Sequence, residues 1–245
     1  MSPKAAPAAI LILIFSLFGL CASGSSNPFE GPLGLVVIDP GHGGSDPGAV
    51  ANGIEEKSLN LQIALALRDE LSKAGINTIL TRDDDFYLGL QDRCDIANSA
   101  DWPLGVTAVF VSIHANSYAT SEASGLEVYT CHEDRFVPVL TSLSPSAQGF
   151  RFAALSPQEA SNLRWDASAS LAGSVLEAMQ RAFPSMKSRG VKQDNLYVLN
   201  CTSMPSILVE VGFVSNPEEA QSMKKASFVS SMAKAICAGI LSAAD

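Results

Sequence analysis

Two of the three histidines follow apolar, Val/Ile-rich runs: His42 after Leu35-Val36-Val37-Ile38, and His114 after Val109-Phe110-Val111-Ser112-Ile113. A buried strand that ends on an imidazole puts it at the rim of a parallel sheet, where open α/β folds gather their ligands. One histidine in such a place is commonly a satisfied rim residue. Two of them point to a site. Glu210 is the second unusual feature, because it interrupts Ile207-Leu208-Val209 and Val211. An ionised carboxylate inside a buried strand is costly unless a cation, a metal or hydrogen bonds offset it. The bland alternative is a glutamate that faces solvent from a half-exposed strand or pairs with an arginine.

Glu55 and Glu56 open a helix directly after the glycine loop that bears His42. Acidic residues also suit a helix N-terminus through the macrodipole, so a functional reading needs a partner, and the folded-back loop offers His42. Two histidines and one carboxylate form a catalytic Zn²⁺ set with a position left for water, and a further carboxylate can take that water's proton. The chemistry implied is metal-assisted hydrolysis. The ligands are scattered and no HExxH is present: His132-Glu133 begins one, but Phe136 stands where the second histidine belongs. GxSxG, GxxxxGK[ST] and GxGxxG are likewise absent.

The elements that must position these groups alternate. Strands are expected at Leu35–Asp39, Ile76–Leu80, Val106–Ile113, Leu126–Tyr129, Leu196–Leu199 and Ile207–Phe213. Helices are expected at Glu55–Lys73, Leu90–Asn98, Asp166–Phe183 and Phe228–Leu241, with a short acidic helix start at Asn216-Pro217-Glu218-Glu219. This order predicts an α/β fold, a single domain with a twisted, mostly parallel central sheet flanked by helices. Between Cys131 and Arg164 the periodicity fails, and a segment of that length is expected to be a lid or a regulatory element.

Residues 1–24 read as a signal peptide: Lys4 supplies the charge, Ala8 to Leu20 the apolar stretch, and Ala22-Ser23-Gly24-Ser25 the cleavage region. Residues 25–34 read as a linker and 35–245 as the catalytic domain. The protein is therefore expected to be exported, periplasmic or extracellular. An uncleaved anchor is disfavoured by the shortness of the apolar run, and lipidation of Cys21 by Leu20 before it. No later stretch is read as a membrane span. Cys94, Cys131, Cys201 and Cys237 permit up to two disulfides without requiring any, and Cys237 is expected in the core. A net charge of −9 without a Lys/Arg cluster argues against nucleic acid as a partner.

Four motifs occur in order: Val37-Ile38-Asp39-Pro40-Gly41-His42-Gly43-Gly44 with Asp46-Pro47-Gly48-Ala49, Glu56-Lys57 at a helix start, Ser112-Ile113-His114-Ala115-Asn116, and Leu208-Val209-Glu210-Val211-Gly212-Phe213-Val214-Ser215-Asn216. Together they closely resemble the zinc-dependent N-acetylmuramoyl-L-alanine amidases of the amidase-3 type. Arg93 with Ala97-Asn98, Gly190-Val191-Lys192-Gln193 before Asn195-Leu196-Tyr197-Val198-Leu199, and Met204-Pro205 agree with that resemblance. It implies that His42, Glu56 and His114 hold Zn²⁺ and that Glu210 is the catalytic carboxylate. Glu56 is preferred to Glu55 because it directly precedes lysine. The implied substrate is peptidoglycan or a muropeptide, cut between the lactyl group of N-acetylmuramic acid and L-alanine. Arg93 stays outside the catalytic list, since a clamp onto Asp39 or Asp83 serves it equally well. Two other readings stand beside this one: an inactive wall-binding protein on the same fold, and a zinc peptidase acting on short peptides. The sequence does not reveal whether an activator protein takes part, nor the oligomeric state.

Overall fold

Val/Ile-rich runs build the centre of the sheet in a computed structural model that describes residues 31–103, 105–131 and 157–245. The expected signal peptide, Cys21 and His132 lie outside the described residues. So do the start of the linker and residues 132–156 of the expected lid. The strands are β1 (Leu33–Pro40), β2 (Val50–Ala51), β3 (Ile54–Glu55), β4 (Asn77–Leu80), β5 (Thr107–Asn116), β6 (Leu126–Cys131), β7 (Ser188–Asp194) and β8 (Ser206–Phe213). Among the described residues the helices are α1 (Glu56–Lys73), α2 (Leu90–Ser99), α3 (Pro157–Ala182), α4 (Tyr197–Cys201), α5 (Pro217–Met223) and α6 (Ala226–Ala244).

Among the described residues six strands form one sheet in the order β4-β1-β5-β8-β6-β7, and β2 pairs with β3 in a separate hairpin. β4, β1, β5 and β8 are mutually parallel; β6 runs antiparallel to β8 and parallel to β7. Side chains alternate between the two faces of each strand. Val109, Val111 and Ile113 of β5 share the larger core with Ile63, Leu67 and Leu71 of α1, Leu171, Val175 and Met179 of α3, and Met232, Ile236 and Ile240 of α6. Phe110 and Leu208 face the other way and pack with Cys94 and Ala97 of α2 and Val198 and Leu199 of α4. The sheet is thus covered on both faces, as parallel strands require.

α1 ends where expected: Gly75 takes φ 78°, and the N–H of Ile76 returns to the carbonyl of Leu71 at 3.0 Å. α6 is long and apolar enough to cross a membrane by composition, which corrects the reading that no later stretch qualifies. Here it is a core helix, with Phe228, Met232, Ile236, Cys237 and Ile240 buried.

Three boundaries differ from expectation for physical reasons. Leu196–Leu199, read as a strand, forms the N-cap and first residues of the short helix α4, because an apolar run of this length suits either conformation. β7 goes unpredicted because SRGVKQD is polar and sits at the sheet edge, with no apolar alternation to read. α3 begins at Pro157 rather than Asp166: buried Arg164 and Ser168 occupy the same helical stripe as Leu171 and Val175, so an apolar count starts late.

Gly173 and Gly239 test this packing. A Cβ on Gly173 of α3 would meet nothing within 4 Å, whereas one on Gly239 of α6 would lie 2.5 Å from Val175 Cα and 2.8 Å from the Ser174 carbonyl oxygen. Gly173→Ala should stabilise the fold by about 0.5–1 kcal/mol through helix propensity. Gly239→Ala should destabilise it by about 1–3 kcal/mol through overpacking, despite the same propensity gain. Urea unfolding of both variants checks the opposite signs.

Candidate metal centre

β1 delivers Asp39 into the interior, and the chain leaves the sheet through the glycine loop of residues 40–53. Gly41 N–H donates to the Ile113 carbonyl at 3.0 Å, which folds the loop back over the end of β5. Two buried guanidinium groups then fix its path. Arg93 donates to Asp39 Oδ1 at 2.7 Å, to the Pro40 carbonyl at 2.8 Å and to the His42 carbonyl at 2.7 Å. Arg82 donates to the carbonyls of Pro40 and Gly41 at 3.0 Å each and of Lys57 at 2.9 Å. Asp39 also accepts from Thr81 Oγ1 at 2.6 Å and Ser112 Oγ at 2.7 Å. Arg93 is therefore a clamp onto Asp39. Arg82, missed in the sequence as part of a polar strand exit, holds the same loop.

The clamped loop presents His42 in a left-handed conformation, φ 61°, which L side chains seldom adopt and tertiary contacts must hold. Its Nδ1 lies 2.7 Å from Asp46 Oδ2, and its Nε2 lies 3.2 Å from Glu56 Oε1. Strand β5 brings His114, whose Nδ1 is 2.8 Å from the same oxygen. The imidazoles meet edge to face with centroids 4.9 Å apart. Glu56 is buried at the start of α1, accepting from Ala115 N–H at 3.2 Å, Asn60 Nδ2 at 3.3 Å and Ala49 N–H at 2.9 Å. Glu55, its neighbour, is exposed just before the helix. Close approach explains two glycines: a Cβ on Gly41 would sit 2.2 Å from the His114 ring, and one on Gly48 2.6 Å from both Glu56 Oε2 and His42 Cδ2.

Burial opposes charge on Glu56 and on His42, and their neighbours outweigh it at both. It would raise the Glu56 carboxyl, but hydrogen bonds and charge from His114 and His42 hold it far below the usual carboxylate range. It would lower His42, but Glu56 and Asp46 outweigh that and leave the imidazole above its ordinary value. One donor atom from each of His42, Glu56 and His114 lies within 4.8 Å of the others. Two nitrogens and an oxygen so placed fit a divalent transition metal, with room in its coordination shell for another ligand.

Glu210 stands beside His114 across the β5–β8 pairing. Its Oε2 is buried with no hydrogen-bond partner, the only carboxylate oxygen so placed among the described residues. Burial raises this carboxyl well above the usual range, and the charges of Glu56 and Glu127 raise it further while Lys192 opposes them. Glu127, on β6, is a group that the sequence reading passes over, although it interrupts Leu126 and Val128 as Glu210 interrupts its own strand. It accepts from Asn116 Nδ2 at 2.6 Å, Tyr129 OH at 3.0 Å, Arg189 Nε at 2.6 Å and Lys192 Nζ. A cleft of about 330 Å³ opens at the histidines, lined by Asp46, Tyr87, Leu90, Leu196, Tyr197 and Leu208 among others.

The four described cysteines are unpaired. Cys237 is buried, as expected, and burial pushes the Cys94 thiol up to about 12, which leaves it a poor nucleophile.

The sequence model of the N-acetylmuramoyl-L-alanine amidase family matches residues 36–242. A sporulation-specific N-acetylmuramoyl-L-alanine amidase of Bacillus subtilis is 35% identical over 84% of the chain and 66% of its own length. The amidase AmiA of Escherichia coli is 32% identical over 85% of the chain and 75% of its own length. Among solved structures, the amidase AmiC2 of Nostoc punctiforme superposes with a TM-score of 0.66 at 34% identity, covering 89% of this chain and 98% of that one.

Glu127 gives a pH signature. Burial would raise its carboxyl, but hydrogen bonds from Lys192, Arg189 and Tyr129 hold it below its ordinary 4.5. A carboxyl depressed on folding contributes stability that is present above its unfolded value and lost as pH falls through the folded one. Glu127→Gln should therefore lower the urea midpoint at pH 7 and flatten its decline below pH 4.5. An acid limb as steep as that of the unsubstituted protein would show that this group is not the one titrating.

Proposed function

The chain belongs to the amidase-3 family of N-acetylmuramoyl-L-alanine amidases, and on that premise we propose that it is a zinc-dependent peptidoglycan hydrolase. It cleaves the amide between the lactyl group of N-acetylmuramic acid and L-alanine of the stem peptide. The observation that carries this reading is the conjunction of three convergent donor atoms, from His42, Glu56 and His114, with the partnerless buried oxygen of Glu210 on the neighbouring strand.

His42, Glu56 and His114 would hold Zn²⁺. When bound, that ion lowers the pKa of its water from about 15.7 toward 7 and polarises the scissile carbonyl. Every other part of the task falls to side chains. Asp46, 2.7 Å from Nδ1 of His42, fixes the imidazole so that Nε2 is the ligating nitrogen. Glu210 takes a proton from the attacking water and returns it to the departing amine of L-alanine. Burial holds this carboxyl above its ordinary range, which suits a group that takes up a proton and gives it back in each turnover. Strand β8 holds it in register with His114, so donor set and base keep a fixed relation. The substrate polymer lies outside the cytoplasmic membrane, and the expected signal at residues 1–24 agrees with export to it.

Purified protein incubated with muropeptides, with and without a chelator, should release free stem peptide only when metal is present, with activity restored by Zn²⁺. Product masses showing cleavage inside the peptide would instead identify a peptidase. Tight binding to sacculi without cleavage would identify an inactive wall-binding protein. Glu210→Gln should reduce kcat by about 10²–10⁴-fold while bound zinc, measured by elemental analysis, stays at the parent level. A variant with near-parent kcat would remove Glu210 from its role.

A further inference from the structure

The line of polar side chains that starts at His114 continues past Glu210. Strand register sets His114 beside Glu210, and Glu210 beside Glu127. Beyond Glu127 lies β7, which supplies Arg189 and Lys192. Both cations bond to Glu127, which is only 1% exposed, while their own side chains are 29% and 35% exposed. Two cations thus share one carboxylate oxygen, Oε2 of Glu127. The Arg189 guanidinium is steadied 4.9 Å above the Phe213 ring, and the Lys192 ammonium lies 5.5 Å from the Tyr129 centroid. Among the described residues Glu127 is the only hydrogen-bond partner of either side chain. Each therefore keeps donors for something else.

We propose that Arg189 and Lys192 form an anion subsite for the free α-carboxylate of the second stem-peptide residue, on the leaving-amine side of the scissile bond. The inference rests on the amidase reading and deepens it. A substrate amide at Glu210 has two arms, and the protein offers them different surfaces. The cleft beside the histidines carries the exposed side chains of Tyr87, Leu90 and Tyr197, a surface suited to neutral sugar rings. The β7 side carries two part-exposed cations with donors left over, and the peptide arm is the one that bears carboxylates. Adjacent strands are about 4.8 Å apart, so β7 lies about 10 Å from β8. An extended chain advances about 3.3–3.6 Å per residue, which places the second residue, with its carboxylate, between the two.

The test compares kcat and KM for two muramoyl-L-alanyl-γ-D-glutamyl substrates, one with a free α-carboxylate and one with a carboxamide. The unsubstituted protein should show a KM about tenfold lower for the carboxylate, the scale of one charge-assisted hydrogen bond. Lys192→Gln should bring that preference to within about twofold, with the loss falling on KM rather than kcat, and Lys192→Arg should keep it. Equal turnover of both substrates by the unsubstituted protein would overturn the subsite and leave the amidase reading standing. Failure to cleave either would overturn the amidase reading beneath it. A preference that survives both Lys192→Gln and Arg189→Gln would overturn the assignment to these residues. Should those variants not fold, salt decides: the preference must shrink as ionic strength rises, and a salt-independent preference refutes an ionic subsite.

Discussion

Oε1 of Glu56 accepts hydrogen bonds from the Ala115 N–H and Asn60 side chain, and lies 2.8 Å from His114 Nδ1 and 3.2 Å from His42 Nε2. Strand β5, helix α1 and the glycine loop converge on this one atom. The position suits a negative charge, because Glu56 opens α1, where the helix N-terminus favours an anion. The same turn is closed by loop carbonyls: Glu56 N–H donates to Ala49 and Lys57 N–H to Pro47. Donors that a helix start leaves unmatched are thereby consumed by the segment that carries His42. The fold of the loop and the placement of the carboxylate are a single event.

That arrangement depends on buried charge being matched locally. Asp39 and Arg93 are almost wholly inaccessible and bonded to each other, and Arg93 and Arg82 together occupy the carbonyls of Pro40, Gly41 and His42. Three consecutive carbonyls pinned from beneath leave the His42 backbone little freedom, which is how a left-handed histidine persists. Glu127 is compensated in the same manner by two cations, whereas Glu210 has no such partner for Oε2. Two neighbouring glutamates on paired strands are pushed in opposite directions, one kept ionised and the other able to carry a proton.

The parts of this architecture that can be read from sequence are those in which apolar periodicity and polar interruption coincide. β1, β5 and β8 announce themselves as Val/Ile runs, and His42, His114 and Glu210 stand out because they break or end those runs. The structure brings His42, Glu56 and His114 together and sets Glu210 alongside. What escapes is carried by residues with no apolar contrast around them. Arg82 sits among Thr81, Asp83 and Asp84 and looks like a solvated turn, although it is buried. Arg189 and Lys192 lie on a strand with no hydrophobic face to betray it. Glu127 offers the same contrast as Glu210 and is legible by the same argument. The pairing that joins them spans more than sixty residues, a separation that local pattern does not encode.

Among the described residues β7 forms one edge of the sheet, and a free strand edge invites pairing with any other extended chain. Its sequence, SRGVKQD, is charged, carries Gly190 at φ 85°, and pairs with β6 through a register shift. Each of these features discourages a second molecule from continuing the sheet. The charges beside Glu127 therefore also guard against self-association: while the chain is folding and its strands are briefly unpaired, this edge is one that neighbouring copies cannot readily extend into an aggregate.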